Sequence, residues 1–211
     1  MGKTWPAAVT LLYLFGSGTA LAQSVSIGGR LGITNSAALF ADQNSGDRID
    51  DRRGFQIGGV IGYQLNPILS LQLEVSYLQK GWAEFETGGD RKLTYLELPL
   101  LLSINAPWTT SPHLLAGPSV SYELSCSVTG VPHVGQVSCG DPRVEWDREK
   151  FQLGLWFGLG LGRWLGTSKL DLQFLGNISL TDMNNEALPP GYIRLVAVTA
   201  TATYKISLGG L

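Results

Sequence analysis

The stretch "ILSLQLEVSY", Ile68 to Tyr77, alternates with a period of two. Leu69, Leu71, Leu73, Val75 and Tyr77 fall on one face, and Ser70, Gln72, Glu74 and Ser76 on the other. Successive side chains of a strand point to opposite faces, so the pattern predicts a strand. It does not say which face is inside. In a soluble sheet the leucines turn to a core and Glu74 to water. In a membrane barrel the leucines meet lipid and Glu74 enters the bore.

The rest of the chain decides. Its 211 residues suit one domain or a small pair. Charged residues make up 15%, below the usual quarter, and 15 bases do not exceed 17 acids. Nucleic-acid binding therefore has no electrostatic footprint. The N-terminus carries Lys3, a short apolar run from Ala7 to Phe15 and the small-residue site Ala20-Leu21-Ala22. This predicts a cleaved signal peptide over residues 1–22 and a mature domain over 23–211. No later run reaches the roughly 18 apolar residues of a transmembrane helix. No cysteine follows the cleavage site to take a lipid. An exported chain with neither anchor is either soluble outside the cytoplasm or an outer-membrane barrel.

Eight strand candidates follow: Ser24–Thr34, Gly54–Leu65, Ile68–Gln79, Lys92–Ile104, His113–Leu124, Lys150–Arg163, Lys169–Leu180 and Tyr192–Leu208. Globular strands average five or six residues. Tilted membrane strands need about nine to eleven, which fits these segments better. Connections alternate in length. Asn66-Pro67, Asn105–Pro112 and Trp164–Ser168 are short, whereas Asn35–Arg53, Lys80–Arg91, Ser125–Glu149 and Thr181–Gly191 are long and polar. Short periplasmic turns and long extracellular loops are the outer-membrane pattern. An even strand count puts both termini on the periplasmic side.

The other strands repeat the Leu73 register. Leu170, Leu172, Phe174 and Ile178 oppose Asp171, Gln173 and Asn177. Val196, Val198, Ala200 and Ala202 oppose Thr199, Thr201 and Thr203. Phe151, Leu153, Leu155, Phe157 and Leu159 oppose Gln152, Gly154, Trp156, Gly158 and Gly160. Each apolar face is as long as a hydrocarbon core and ends on aromatics such as Tyr63, Tyr77, Phe151 and Tyr204. The opposite faces are rich in Gly, Thr, Ser and Gln, which suit a narrow bore. The sequence thus predicts an all-β, eight-stranded antiparallel up-and-down transmembrane β-barrel in the bacterial outer membrane. A soluble lipocalin-like barrel would need an apolar interior, and the glutamates argue against it.

Three stretches, "VSYLQKGW" (Val75–Trp82), "LTYLELPLLLSI" (Leu93–Ile104) and "LLAGPSVSYELS" (Leu114–Ser125), resemble the PorT-type outer-membrane β-barrel family. The Gly-rich "KFQLGLWFGLGLG" (Lys150–Gly162) fits a late strand of that family. The resemblance covers nearly the whole mature chain. It implies an eight-stranded barrel and little chemistry. The branch that gives the family its name is associated with a protein-secretion machine. Pro99 and Pro118 fall mid-strand, where proline removes a ladder donor. They are expected about opposite each other at a shared bulge that bends the wall.

Function is read from the inward faces. Arg30, Glu74, Glu97, Glu123, Asp171 and Lys205 turn inward in this register, with Trp156 among them. Buried charges persist when paired. Lys205 is expected to meet Asp171, and Arg30 to meet Glu74 or Glu97. Trp156 fills space, and Gln56, Gln72, Gln152 and Gln173 satisfy remaining polar atoms. An eight-stranded interior is narrow enough for side chains to fill. The expected role is non-enzymatic, structural or interactive, with a plugged bore. The alternative is a narrow porin-like channel or transporter.

No catalytic, cofactor or metal site is expected. The two histidines, His113 and His133, fall on opposite membrane sides. Asp42, Asn44, Asp47 and Asp50 form an acidic loop, but Gly46 is misplaced for an EF-hand and Arg48, Arg52 and Arg53 offset the charge. Cys126 and Cys139 are an even pair in an exported chain, so a disulfide across the third long loop is expected, restraining the loop rather than the barrel. Partners are the lipid bilayer and, through the long loops, an extracellular or envelope protein. Phe40, Trp82, Phe85 and Trp146 lie in or beside those loops and read as interface anchors.

Overall fold

A computed structural model describes residues 24–40, 49–84, 89–131, 135–142, 148–183 and 193–208. The expected signal peptide, most of the acidic loop from Asp42 to Asp47, Phe85, His133 and Trp146 lie outside these residues, as do the side chains of Phe40 and Asp50.

Nine strands occur among the described residues: β1 (Val25–Phe40), β2 (Ile49–Gln64), β3 (Leu69–Glu84), β4 (Asp90–Asn105), β5 (Thr110–Val131), β6 (Gly135–Ser138), β7 (Phe151–Leu165), β8 (Ser168–Ser179) and β9 (Ile193–Ser207). Eight of them are staves of one antiparallel sheet. The order runs β4-β3-β2-β1-β9-β8-β7-β5, and the β4–β5 pairing closes the ring. The short β6 pairs back on the upper part of β5 as a hairpin arm. Closure satisfies the edge hydrogen bonds that an open sheet exposes to lipid.

The ambiguity at Ile68–Tyr77 resolves inside out. Leu73, Val75 and Tyr77 are 44%, 49% and 37% exposed, while Gln72 and Glu74 are 3% and 0% exposed. Leu31, Ile33, Leu159, Leu161, Leu172 and Phe174 extend this exposed apolar belt around the wall. Phe55 stacks on Tyr77 with ring centroids 5.6 Å apart at its upper margin. No aqueous environment accommodates so large a continuous apolar surface.

All eight expected staves are present, but several run further than the alternation does. β1 continues to Phe40, and its partner β9 follows it rung for rung to Ile193. The added segments, such as "NSAALF" and "KGWAE", lack clean alternation. Ladder hydrogen bonds hold them together beyond the apolar belt. Lys80 and Trp82, read from sequence as loop residues, are therefore strand residues of β3.

The two prolines do not share a bulge. Pro99 pairs with Ser119, which leaves Pro118 opposite Leu100 and on the other face of the wall. Register is kept across both. Leu73↔Leu100 and Ser76↔Glu97 bracket the missing rungs beside Pro99, and Leu102↔Ala116 and Pro99↔Ser119 bracket those beside Pro118. Each proline removes a donor from one side of one strand, and the ladder resumes in step. A Cβ at Gly117 would lie 1.9 Å from the Leu100 carbonyl oxygen, so glycine permits the close approach there. The real slip on β5 is higher, where Thr94 pairs with Ser125 and Tyr95 with Glu123. The extra residue reverses the facing of the strand above it. Cys126 consequently turns inward.

Candidate functional site

The bore is the functional site the fold offers, because strand alternation delivers polar side chains to it from every stave. Nearest the short turns, Asp171 of β8 meets two lysines. Lys205 lies 2.7 Å away and Lys169 lies 3.1 Å away. Lys205 also donates to Gln72 Oε1 at 2.9 Å. Above them Arg30 reaches across the bore. Its Nη1 donates to Glu74 Oε2 at 2.5 Å, its Nε to Thr203 Oγ1 at 2.9 Å, and its Nη2 to Gln173. The second oxygen of Glu74 accepts from Gln72 Nε2 at 2.6 Å. His113 joins this group. Its Nδ1 lies 3.1 Å from the Ser111 carbonyl and its Nε2 3.1 Å from Gln173 Nε2, an arrangement that fits a ring with its proton on Nδ1.

Leu78, Leu101, Leu115, Leu175 and the Trp156 indole form a small apolar cluster higher in the bore. Trp156 is 1% exposed and donates from Nε1 to Glu97 Oε1 at 2.7 Å. Glu97 Oε1 also accepts from Ser119 at 3.0 Å, and Lys80 Nζ lies 3.0 Å from Oε2. Lys80 donates to Asn177 Oδ1 at 2.6 Å and lies over the Tyr95 ring. Glu123 is held by Arg148 through both carboxylate oxygens. Gln56 donates to Ser76, and Gln152 donates to the Tyr95 hydroxyl at 3.1 Å.

The inward faces of β7 explain its glycines. A Cβ at Gly162 would lie 2.2 Å from Asp171 Oδ1 and 2.4 Å from Lys169 Cε. At Gly160 it would lie 2.5 Å from His113 Nε2. The space is taken by side chains of the neighbouring β5 and β8 rather than by residues across the bore.

At the long-loop end the bore becomes apolar. Trp82, Leu93, Tyr95, Cys139, Met183 and Leu195 are all fully buried, and Ala38, Cys126, Val128 and Val137 complete the cluster. Arg91 lies over the Trp82 ring at 5.4 Å. Cys126 and Cys139 are disulfide-bonded. The bond closes the β5–β6 hairpin and is itself packed within this cap. Trp82 is thus an interior residue and not an interface anchor.

The structure brings Arg30 to Glu74 and Lys205 to Asp171, and it surrounds Glu97 with Trp156, Ser119 and Lys80. Sequence reading missed Lys80, Lys169 and Arg148. Lys80 continues the even-numbered inward register of β3, so extending that strand by one residue would have found it. Arg148 precedes β7 and has no periodic signal. Lys169 opens the seventh strand candidate in the inward register of Asp171, a carboxylate that Lys205 alone already answers in the sequence reading.

Comparison with known proteins agrees with this architecture. No curated protein matches the sequence. Neisserial surface protein A aligns with 85% of this chain and 96% of its own at 14% identity and a TM-score of 0.51. OprG from Pseudomonas aeruginosa aligns with 90% of this chain and 97% of its own at 11% identity and a TM-score of 0.53. AlkL, solved in DMPC lipid bilayers, aligns with 100% of this chain and 99% of its own at 12% identity and a TM-score of 0.53. At such identities these likenesses speak for the fold alone. The family model of the outer membrane protein beta-barrel domain matches residues 21–185. The chain belongs to the outer membrane protein beta-barrel domain family, whose place is the bacterial outer membrane.

Proposed function

We propose that the protein is a non-enzymatic outer-membrane barrel with a plugged bore, acting as a structural or interaction element. The observation that carries this reading is the ladder of ion pairs, Asp171–Lys205, Arg30–Glu74 and Glu97–Lys80, under the apolar cap around Trp82 and Cys139. Side chains that pair with one another have little left for a passing solute. A charged group leaving its partner in so narrow a space would be stranded. Loop lengths and the expected cleaved signal peptide favour long loops outside the cell and short turns in the periplasm. The cap supports the loops as a platform for an extracellular or envelope protein partner. The Val75–Trp82, Leu93–Ile104 and Leu114–Ser125 stretches favour a PorT-type member of the family.

The rival is a narrow channel or transporter of small molecules. Proteoliposomes loaded with a small sugar separate the two. A plugged barrel releases it no faster than empty liposomes, whereas release that rises with protein content would support the channel. Surface labelling of intact cells at a cysteine placed in the Thr181–Gly191 loop tests the sidedness.

A further inference from the structure

Among the described residues, five cations and four carboxylates make the ion pairs of the bore. Arg30, Lys80 and Arg148 each have their own acid, in Glu74, Glu97 and Glu123. Lys169 and Lys205 share Asp171. Around Asp171 the described residues therefore carry one positive charge in excess, at the short-turn end. The other partners of these lysines are neutral: Gln72 Oε1 for Lys205 and, at 3.5 Å, Asn105 Oδ1 for Lys169. A charge out of bulk water seeks a counter-charge.

The same lysine borders a cavity. Between the short turns lies a vestibule of about 440 Å³ lined by Lys169, Asn105, Gln64, Asn66, Trp108 and Trp164. The Lys169 ammonium lies over the Trp164 ring, 5.8 Å from its centroid. Water takes about 30 Å³ per molecule in the liquid, so the vestibule exceeds what one ion and a few waters fill. It combines a surplus cation with two indole walls, while the Gln64 and Asn105 amide nitrogens already donate to the Asn66 and Ile68 carbonyls.

We propose that this vestibule binds a small organic oxyanion. A carboxylate or phosphate group sits on Lys169, and the apolar body lies against Trp164 and Trp108. The ion ladder above Lys169 makes the site a dead end entered from the short-turn side. Binding there does not depend on whether the bore conducts, so the site and the plugged reading stand or fall separately.

The test uses the refolded full-length mature barrel in detergent micelles, with the tryptophan indole resonances followed by NMR. Phenyl phosphate and benzoate are the probes, and benzyl alcohol is the neutral control. Both anions are expected to shift the Trp164 and Trp108 indoles saturably, and the alcohol is not. Asn105→Asp sets a second carboxylate beside Lys169 and should weaken phenyl phosphate at least tenfold. Lys169→Met removes the surplus charge, leaves Asp171 with Lys205, and should do the same. The unboiled gel shift of the folded barrel serves as the folding control for each variant. Equal response to benzyl alcohol, absence of a saturable shift, or wild-type affinity in either folded variant would overturn the proposal.

Discussion

At the long-loop end of the bore, Trp82, Leu93, Met183 and Leu195 pack around Cys139 with no solvent exposure. At the short-turn end, Lys169, Asp171 and Lys205 are held together by charge. The two regions fill one tube in different ways. The cap depends on shape, and its loss leaves a cavity. The ladder depends on partners, and its loss leaves an isolated charge. The cap is also stapled, through Cys126 and Cys139, to a hairpin that stands outside the ring of staves. The ladder draws only on residues of the staves themselves.

The largest effect is expected from breaking the ladder. Glu97→Ala strands Lys80 and unseats the Trp156 indole. It should cost about 3 to 5 kcal/mol, as breaking one side of a buried pair does. The urea midpoint of the unboiled gel shift measures it, and a loss under about 1 kcal/mol would mean that water already solvates the pair. In the cap, Cys126→Ser with Cys139→Ser opens a loop worth about 3 kcal/mol in the chain-entropy model. Hydrogen exchange should rise in β6 and upper β5 while the folded gel band persists. Uniform exchange across all staves would show that the staple holds the whole barrel.

Smaller effects sharpen the contrast between the inside and outside of the wall. Gly160→Val pushes a side chain into His113 and Gln173, an overpacking cost of about 1 to 3 kcal/mol. Gly59 faces outward with nothing within 4 Å of an added Cβ. Gly59→Val should therefore leave the same urea midpoint unchanged, and equal losses at the two glycines would deny the difference between the faces. The smallest effect belongs to Arg52 and Asp90 above the belt, 20% and 40% exposed. Arg52→Ala should shift stability by about 0 to 1 kcal/mol, since exposed pairs are screened.

The wall was legible in the sequence because lipid and bore impose opposite demands on alternate residues. Ile68–Tyr77 carries both in ten positions, and the register it sets turns Arg30, Glu74, Glu97 and Asp171 inward. The cap was not legible. Trp82 and Leu93 flank a polar loop, and Cys126 turns inward because of one extra residue beside it, which leaves no periodic trace. The prolines misled for a related reason. Each removes rungs beside it, but only an inserted residue shifts register, and none is inserted there. Lys169 was visible as a strand residue, and its meaning came from the single carboxylate that two lysines share.

A planar-bilayer recording of the purified barrel tests the plugged bore most directly. A bore filled by the Arg30–Glu74 and Glu97–Lys80 pairs predicts no steady ion conductance in the wild type, with openings appearing when Arg30→Ala and Trp156→Ala are combined. A stable open conductance in the wild type, unchanged by those substitutions, would contradict it.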